Sequence, residues 1–189
     1  MSQQFDVRDA VRVLHEGGTI LYPTDTIWGI GCDATNARAV RKVFAIKERL
    51  KEKSLIILVR DLEQLRNHVE HVPELAIDIM ESINDPLTII YPGARNLASN
   101  VAAPDGSIGI RIPRDNFCQE LLSAFGKPIT STSANVSGDP SPVSFSKIKQ
   151  AIREAVDYVV PFEEKSIRMP RPSTIIRIDA EGNIHIIRN

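Results

Sequence analysis

A run of short polar side chains follows a predicted strand near the middle of the second half of the chain. Residues 128–142 read PITSTSANVSGDPSP, and Ser131, Thr132, Ser133 and Asn135 stand between the strand and a Gly-Asp-Pro turn. Small hydroxyls and exposed backbone N–H groups can bind carboxylate and phosphate oxygens. A turn that satisfies itself through Ser and Asn side chains explains the same residues equally well.

A second candidate is a run of basic residues where a predicted helix ends. KERLKEK places Lys47, Arg49, Lys51 and Lys53 within seven residues. Arg can hold a phosphate with two parallel N–H bonds, whereas Lys acts as a point charge, so the run could bind phosphates. Cations at a helix C-terminus also complement its dipole, and on residue types alone this solvated charge run is the favoured interpretation.

The third candidate is LYPTDT, residues 21–26, where a predicted strand ends at Pro23. Tyr22, Thr24 and Thr26 then lie near the carboxyl end of that strand, where open α/β sheets bind ligands. An ordinary Pro-Thr-Asp turn is the alternative, and the six residues alone favour it slightly.

Other patterns carry less weight. GIG at residues 29–31 lacks the third glycine of a dinucleotide fingerprint, and no phosphate-binding GxxxxGK[ST] occurs. The histidines of HVEH, His68 and His71, are predicted to lie on a solvated helix face rather than to bind a metal. Ser131 and Ser133 have no evident His or Asp partner, so a nucleophilic triad has little support. We predict no protein-bound metal.

The elements that must position these residues follow from hydrophobic spacing and turn signals. Helices are predicted at 6–16, 36–48, 116–125 and 146–155, with two short helices within 61–83. The predicted helix at 6–16 is capped by Asp6 and the one at 116–125 by Asp115, with Gly126 ending the latter. Strands are predicted at 19–22, 26–32, 54–59, 87–91, 107–113, 128–132 and 157–160, and a hairpin at 173–189. Because strands and helices interleave but some strands follow one another directly, we predict an α/β (α+β) fold with a mixed parallel and antiparallel sheet and flanking helices.

Composition sets the cellular context. The chain has 189 residues, 42% hydrophobic residues and a net charge of −1, which fits one globular domain over residues 1–189 without a strongly basic surface. Cys32 and Cys118 are far apart and form no CxxC motif, which favours a reducing compartment. Neither a signal peptide nor a membrane span is recognisable, so a cytoplasmic protein is expected.

Taken together and in order, YPTDT, KER, SIGIRIP, STSANVSG and RPST resemble the motifs of the YrdC-like family, the threonylcarbamoyl-AMP synthases. The resemblance runs from about Gly18 to Arg188. It implies a twisted mixed sheet around a deep, positively charged cavity. It also implies condensation of L-threonine, bicarbonate or CO2, and ATP to threonylcarbamoyl-AMP and pyrophosphate, the first step of threonylcarbamoyladenosine modification of tRNA. Threonylcarbamoyl-transferase complex proteins are then the implied partners, and Mg²⁺ is expected on the triphosphate.

The resemblance also assigns residues by motif position. Lys47 and Arg49 are the implied catalytic residues, with Lys47 supporting the phosphate contacts of Arg49. The implied threonine-binding residues are Tyr22, Thr24, Arg111, Ser133 and Ser173. The implied ATP-binding residues are Arg49, Lys53, Ser107, Asn135, Val143 and Arg188.

The chain departs from the family pattern in two loops. Leu50 and Ser54 stand where the family usually has proline, and Asn84-Asp85 precede Pro86 where WPGP is common. Losing prolines should loosen residues 50–54. A C-terminal domain found in longer relatives is not expected here.

Two rival functions remain. A double-stranded RNA-binding or tRNA-binding module of the same superfamily would use a basic concave face, although the neutral net charge weakens this alternative. The YciO-type branch is the other rival. The intact KER and SAN tripeptides favour the synthase over that branch.

Overall fold

The computed structural model describes residues 6–48, 54–161, 171–179 and 182–189. In chain order the helices are α1 (Arg8–His15), α2 (Ala37–Ile46), α3 (Leu62–His68), α4 (Glu74–Ser82), α5 (Asn116–Phe125) and α6 (Gln150–Ala155), with a 3-10 turn at Phe145–Lys147. The strands are β1 (Thr19–Tyr22), β2 (Gly29–Cys32), β3 (Ile56–Leu58), β4 (Leu87–Tyr91), β5 (Ile108–Arg111), β6 (Ile129–Ser133), β7 (Tyr158–Val159), β8 (Thr174–Ile178) and β9 (Ile184–Arg188).

The strands form one mixed sheet in the order β7-β1-β2-β6-β3-β5-β4-β8-β9. The pairs β1/β7, β3/β5 and β4/β8 are parallel, and the other neighbouring pairs are antiparallel. The predicted mixed α/β fold is therefore confirmed, and so is the C-terminal hairpin, whose turn contains Gly182 at φ 85°.

Alternation along the strands separates the two faces of the sheet. In β5, Ile108 and Ile110 join the larger apolar core, whereas Gly109 and Arg111 point to the opposite face. In β4, Ile89 belongs to that core while Thr88 lies on the other side. One face thus carries aliphatic side chains for packing, and the other carries small, polar and some aliphatic residues around an open space.

That second face is closed at its other end by helices α1 and α5. Ala10, Val13 and Leu14 of α1 pack with Leu121 and Phe125 of α5 in a second apolar core. Tyr22, Leu58 and Ile129 complete this core from the sheet. The open space is therefore confined to the part of the face that these two helices leave uncovered.

The ends of α5 agree with the predicted helix caps, whereas the start of α1 does not. The Asp115 carboxylate accepts the Cys118 N–H at 2.8 Å, and Gly126 ends α5 at φ 75°, as predicted. The cap predicted at Asp6 is wrong. Val7 is the N-cap of α1 and has no side-chain cap bond, because Asp6 lies one residue too early and binds Arg8 instead.

Candidate active site

A cavity of about 310 Å³ opens on the polar face of the sheet. Five residues assigned by motif position line it: Ser107, Arg111, Ser133, Ser173 and Arg188. They are the residue before β5 and the last residue of β5, the end of β6, the residue before β8 and the end of β9. These segments lie within one part of the sheet, in the order β6-β3-β5-β4-β8-β9, so residues up to 81 positions apart share one wall.

Arg111 is the most enclosed cation of this cavity. Its side chain is only 4% exposed and forms an ion pair with Asp25, whose side chain is 15% exposed. Asp25 belongs to the YPTDT turn, so this turn contributes the counterion that fixes the guanidinium. A buried guanidinium held in this way can present its remaining N–H donors to a carboxylate.

Arg188 and Ser173 form a second polar group beside Arg111. Arg188 donates to the Ser173 carbonyl at 2.9 Å and 3.1 Å and to its hydroxyl at 3.3 Å. The Ser173 hydroxyl also lies 2.8 Å from the Thr88 hydroxyl. Partial burial lowers the pKa of Arg188, and the charge of Arg111 lowers it further, so an anion between the two arginines would relieve their repulsion.

A bulge in the last strand pair sets the direction of Arg188. Ile176 pairs with Ile186, but Ile175 pairs with Arg188, so Ile187 is an extra residue in β9. A bulge of this kind re-aims the side chains beside it. Ile187 and Arg188 consequently both line the cavity.

Ser107 lies just before β5, at the opposite end of that strand from Arg111. Its hydroxyl donates to Asp105 at 2.6 Å, and its N–H donates to the same carboxylate at 2.9 Å. Arg177 of β8 donates to the Ser107 hydroxyl at 3.3 Å. These hydrogen bonds lower the pKa of Asp105, with a smaller contribution from Arg177, so the carboxylate stays ionised.

Lys47 and Asn135 lie behind the cavity wall and organise it. The Lys47 side chain is buried, and its ammonium donates to the Ser133 carbonyl, to the Asn135 carbonyl at 2.5 Å and to the Asn135 side-chain oxygen at 3.1 Å. The Asn135 amide donates to the carbonyls of Val136 at 3.0 Å and Asp139 at 2.6 Å. KER and STSAN, 86 residues apart, thus meet through one ammonium group, which positions Ser133 in the wall.

Three assigned residues are placed elsewhere. Tyr22 does not line the cavity, because its side chain is fully buried in the α1/α5 core and donates to the Thr130 carbonyl at 3.2 Å. Thr24 lies one hydrogen bond behind the wall, 2.8 Å from the hydroxyl of Thr26, which does line it. Val143 is 56% exposed and also lies outside the lining. Arg49 and Lys53 lie outside the described residues.

Sequence reasoning missed three residues of this site: Asp25, Thr88 and Arg177. Thr88 and Arg177 are each a polar residue inside a mostly aliphatic strand, LTIIY and TIIRI. That interruption is a usable signal, because a polar side chain in such a strand must face something other than the core. Asp25 offers no comparable signal, because acidic residues are common in turns.

The cysteines contribute no nucleophile to this site. Burial raises the pKa of Cys32 to about 12 and also raises the pKa of Cys118. Both thiols are therefore protonated at neutral pH, and the thiolate is the reactive form.

Comparison with known proteins identifies the family. The family model Sua5_yciO_yrdC, described as "Telomere recombination", matches residues 12–189. The chain belongs to the Sua5/YciO/YrdC family. A threonylcarbamoyl-AMP synthase of Pseudoalteromonas translucida is 34% identical over 178 residues, which cover 93% of this chain and 94% of that protein.

Solved structures agree with this assignment. The structure of P. abyssi Sua5 complexed with L-threonine aligns with a TM-score of 0.89 at 25% identity, and the alignment covers 98% of this chain. E. coli YciO aligns with a TM-score of 0.84 at 25% identity, covering all of this chain and 96% of that one. This chain spans about half of the Sua5 chain, 55% of its length.

Among the described residues, no group of three or more His, Cys, Asp or Glu is placed to hold a metal ion. The prediction that His68 lies on a solvated helix face is wrong, because its side chain is buried. The His68 carbonyl accepts the Arg95 N–H at 2.9 Å, so the end of α3 packs against the loop that contains Arg95. Burial lowers the pKa of His68.

Within the same described ranges, no helix is both long and apolar enough to span a membrane.

Proposed function

We propose that this member of the Sua5/YciO/YrdC family is a threonylcarbamoyl-AMP synthase, a nucleotidyltransferase that uses ATP, L-threonine and bicarbonate. The observation that carries the proposal is the shared cavity, where Ser107, Arg111, Ser133, Ser173 and Arg188 meet although their motifs are scattered along the chain. Relatives that are 34% identical over nearly their whole length carry this name, which supports the same conclusion.

The reaction demands positioning rather than a covalent enzyme intermediate. The threonine amine attacks CO2 and loses a proton, which gives a carbamate. A carbamate oxygen then attacks the α-phosphorus of ATP, and pyrophosphate leaves with the electrons of the broken P–O bond. Such phosphoryl transfer depends mainly on alignment and on neutralising charge. Protonated, buried thiols are compatible with this chemistry because no thiolate is needed.

The residues divide this work by their chemistry. Arg111, held by Asp25, is suited to the threonine carboxylate, and Ser133 and Ser173 are suited to its polar groups. Arg188 and Ser107 are suited to the nucleotide. Lys47 positions the Ser133 segment from behind. Mg²⁺ bound to the phosphates would supply further charge neutralisation, which fits a cavity wall built from cations and hydroxyls rather than from carboxylates.

Several parts of the proposal concern the cell rather than the site. Threonylcarbamoyl-transferase complex proteins are the proposed recipients of the product, and the cytoplasm is the proposed compartment. Direct binding of tRNA or double-stranded RNA stays a hypothesis. The test of this hypothesis is to measure RNA affinity at several salt concentrations. Affinity that depends on phosphate contacts falls steeply as the salt concentration rises.

The central test is a threonine-dependent reaction of the purified full chain. With ATP, L-threonine, bicarbonate and Mg²⁺ we expect pyrophosphate release and a product with the mass of threonylcarbamoyl-AMP. Omission of threonine or bicarbonate should abolish both. Pyrophosphate release that continues without threonine, or no release from folded protein, contradicts the proposal.

A serine pair supplies a matched variant and control. Ser173→Ala removes a cavity hydroxyl and should raise the KM for threonine roughly tenfold, the cost of one good hydrogen bond. Ser123→Ala, on the exposed side of α5, should leave the kinetics unchanged. Equal effects of the two variants would argue against the threonine assignment of Ser173.

A further inference from the structure

The side chain of Arg177 extends across the sheet surface that lines the cavity. It belongs to β8, where it pairs with Ile90 of β4, and Ile90 in turn pairs with Gly109 of β5. Its guanidinium nevertheless reaches Ser107 of the β5 segment, two strands away, at 3.3 Å. The side chain therefore lies across β4 on the cavity side of the sheet, and Arg177 is part of the lining.

Gly109 leaves the sheet surface beside Arg177 without a side chain from β5. A Cβ at this position would lie 3.3 Å from both Ile56 and Thr88, tighter than ordinary van der Waals contact. With glycine here, β5 contributes no side chain between Ile56 of β3 and Ile90 of β4. Space for a ligand thus remains between Arg177 and the β6 side of the cavity.

The contacts of Arg177 orient it without enclosing it. One terminal nitrogen lies 3.3 Å from the Ser107 hydroxyl, and the other lies 3.5 Å from Asp105. Charge-assisted N–H···O bonds are usually about 2.7–2.9 Å, so both contacts are long. The side chain is 43% exposed, and a guanidinium carries five N–H donors in a planar fork.

The neighbours of Arg177 indicate what it binds. Ser107, its hydrogen-bond partner, and Arg188, on the adjacent strand β9, are the two cavity residues that the proposed function assigns to the nucleotide. Arg111 is already neutralised by Asp25. A triphosphate carries several negative charges, and a second guanidinium that lines the same cavity as Arg188 matches that charge.

We propose that Arg177 is a further nucleotide-binding residue, whose guanidinium binds a phosphate oxygen of ATP after turning from Asp105. This inference rests on the proposed function for the identity of the nucleotide. The competing interpretation is a surface ion pair with Asp105, which would contribute little to stability and nothing to binding.

The experiment measures ligand affinity by calorimetry with the full-length protein. Arg177→Gln should weaken ATP binding roughly tenfold and pyrophosphate binding similarly, as expected for one charge-assisted bond. L-threonine affinity should stay unchanged. Arg177→Lys keeps the charge and should recover part of the loss.

Arg60→Gln is the matched control. Arg60 is also 43% exposed and also pairs with a single aspartate, Asp61, but it lies outside the cavity lining. The ATP affinity of the Arg60→Gln variant should equal that of the unmodified protein. Circular dichroism and thermal melting verify that each variant is folded.

The outcomes separate this inference from the proposed function. Unchanged ATP affinity in Arg177→Gln, or an equal loss in Arg60→Gln, overturns the role of Arg177, and so does a failure of the unmodified protein to bind ATP. Equal weakening of adenosine and ATP also overturns it, since adenosine has no phosphate. If ATP binding responds as expected but no threonylcarbamoyl-AMP forms, the proposed function fails while the phosphate contact stands.

Discussion

Replacing Asp25 with asparagine removes the carboxylate that neutralises Arg111 while preserving the size of the side chain. Arg111 is 4% exposed, so the variant leaves a nearly buried guanidinium without its counterion. Two unit charges about 4 Å apart attract by about 4 kcal/mol at an effective dielectric constant of about 20. Removing one partner of a buried ion pair typically costs about 3–5 kcal/mol.

We expect a loss near the lower end of that range, about 3 kcal/mol in the free energy of unfolding. The asparagine oxygen can still accept one hydrogen bond, and Arg111 borders a cavity that admits water. For a protein of this size, about 1 kcal/mol corresponds to about 2–4 °C, so Tm should fall by roughly 6–12 °C. Asp9→Asn breaks an exposed pair with Arg12 and should change Tm little.

The ligand response makes the prediction specific to the site. In Asp25→Asn, the carboxylate of L-threonine would replace the missing counterion, so threonine should raise Tm more in the variant than in the unmodified protein. L-threoninol lacks the carboxylate and should not produce this gain. Thermal melting with each compound measures both effects. A variant that melts within about 2 °C of the unmodified protein would refute the electrostatic reasoning, and equal responses to threonine and threoninol would refute the role of Arg111.

Three further variants test the supporting structure. Lys47→Met removes the donor shared by two backbone carbonyls and should lower the free energy of unfolding by about 2–4 kcal/mol in urea titration, whereas the exposed Lys149→Met should change it little. Gly31→Ala would place a Cβ 2.5 Å from the Thr130 carbonyl and should cost about 1–3 kcal/mol; an unchanged urea midpoint would contradict this close approach. Burial raises the pKa of Asp115 above its ordinary 3.8, so the native state holds this proton more tightly than the unfolded state, and stability from this group falls as pH rises through the native pKa. Asp115→Asn should therefore gain stability relative to the unmodified protein between about pH 4 and about pH 7, and a constant difference would contradict the sign.

Local features of the chain were predictable because they depend on residues a few positions apart. The alternation in IGIR assigns Ile108 and Ile110 to the core and Arg111 to the polar face. Asp115 and Gly126 mark both ends of α5. The same kind of reasoning placed a cap at Asp6 one residue too early, because capping depends on backbone dihedral angles that a pattern does not specify.

The motif order pointed to the residues of the cavity, but their arrangement required the tertiary structure. Tyr22 and Thr24 are close in sequence to Asp25, yet one lies in the α1/α5 core, one behind the wall, and Asp25 alone pairs with Arg111. Thr24 and Asp25 lie in the segment after β1, so the path of that segment, which the short motif does not specify, sets where their side chains point.

The sequence by itself determined the alternating strands, both ends of α5 and the set of polar motifs that a cavity would need. Only the tertiary structure decided which of those residues meet: Asp25 with Arg111 across 86 positions, Lys47 with Asn135 across 88, and Arg177 with Ser107 across 70. The physical reason is that such contacts depend on strand order, register and the bulge at Ile187. No short stretch of sequence encodes these features, because they emerge when the whole sheet packs against its two cores.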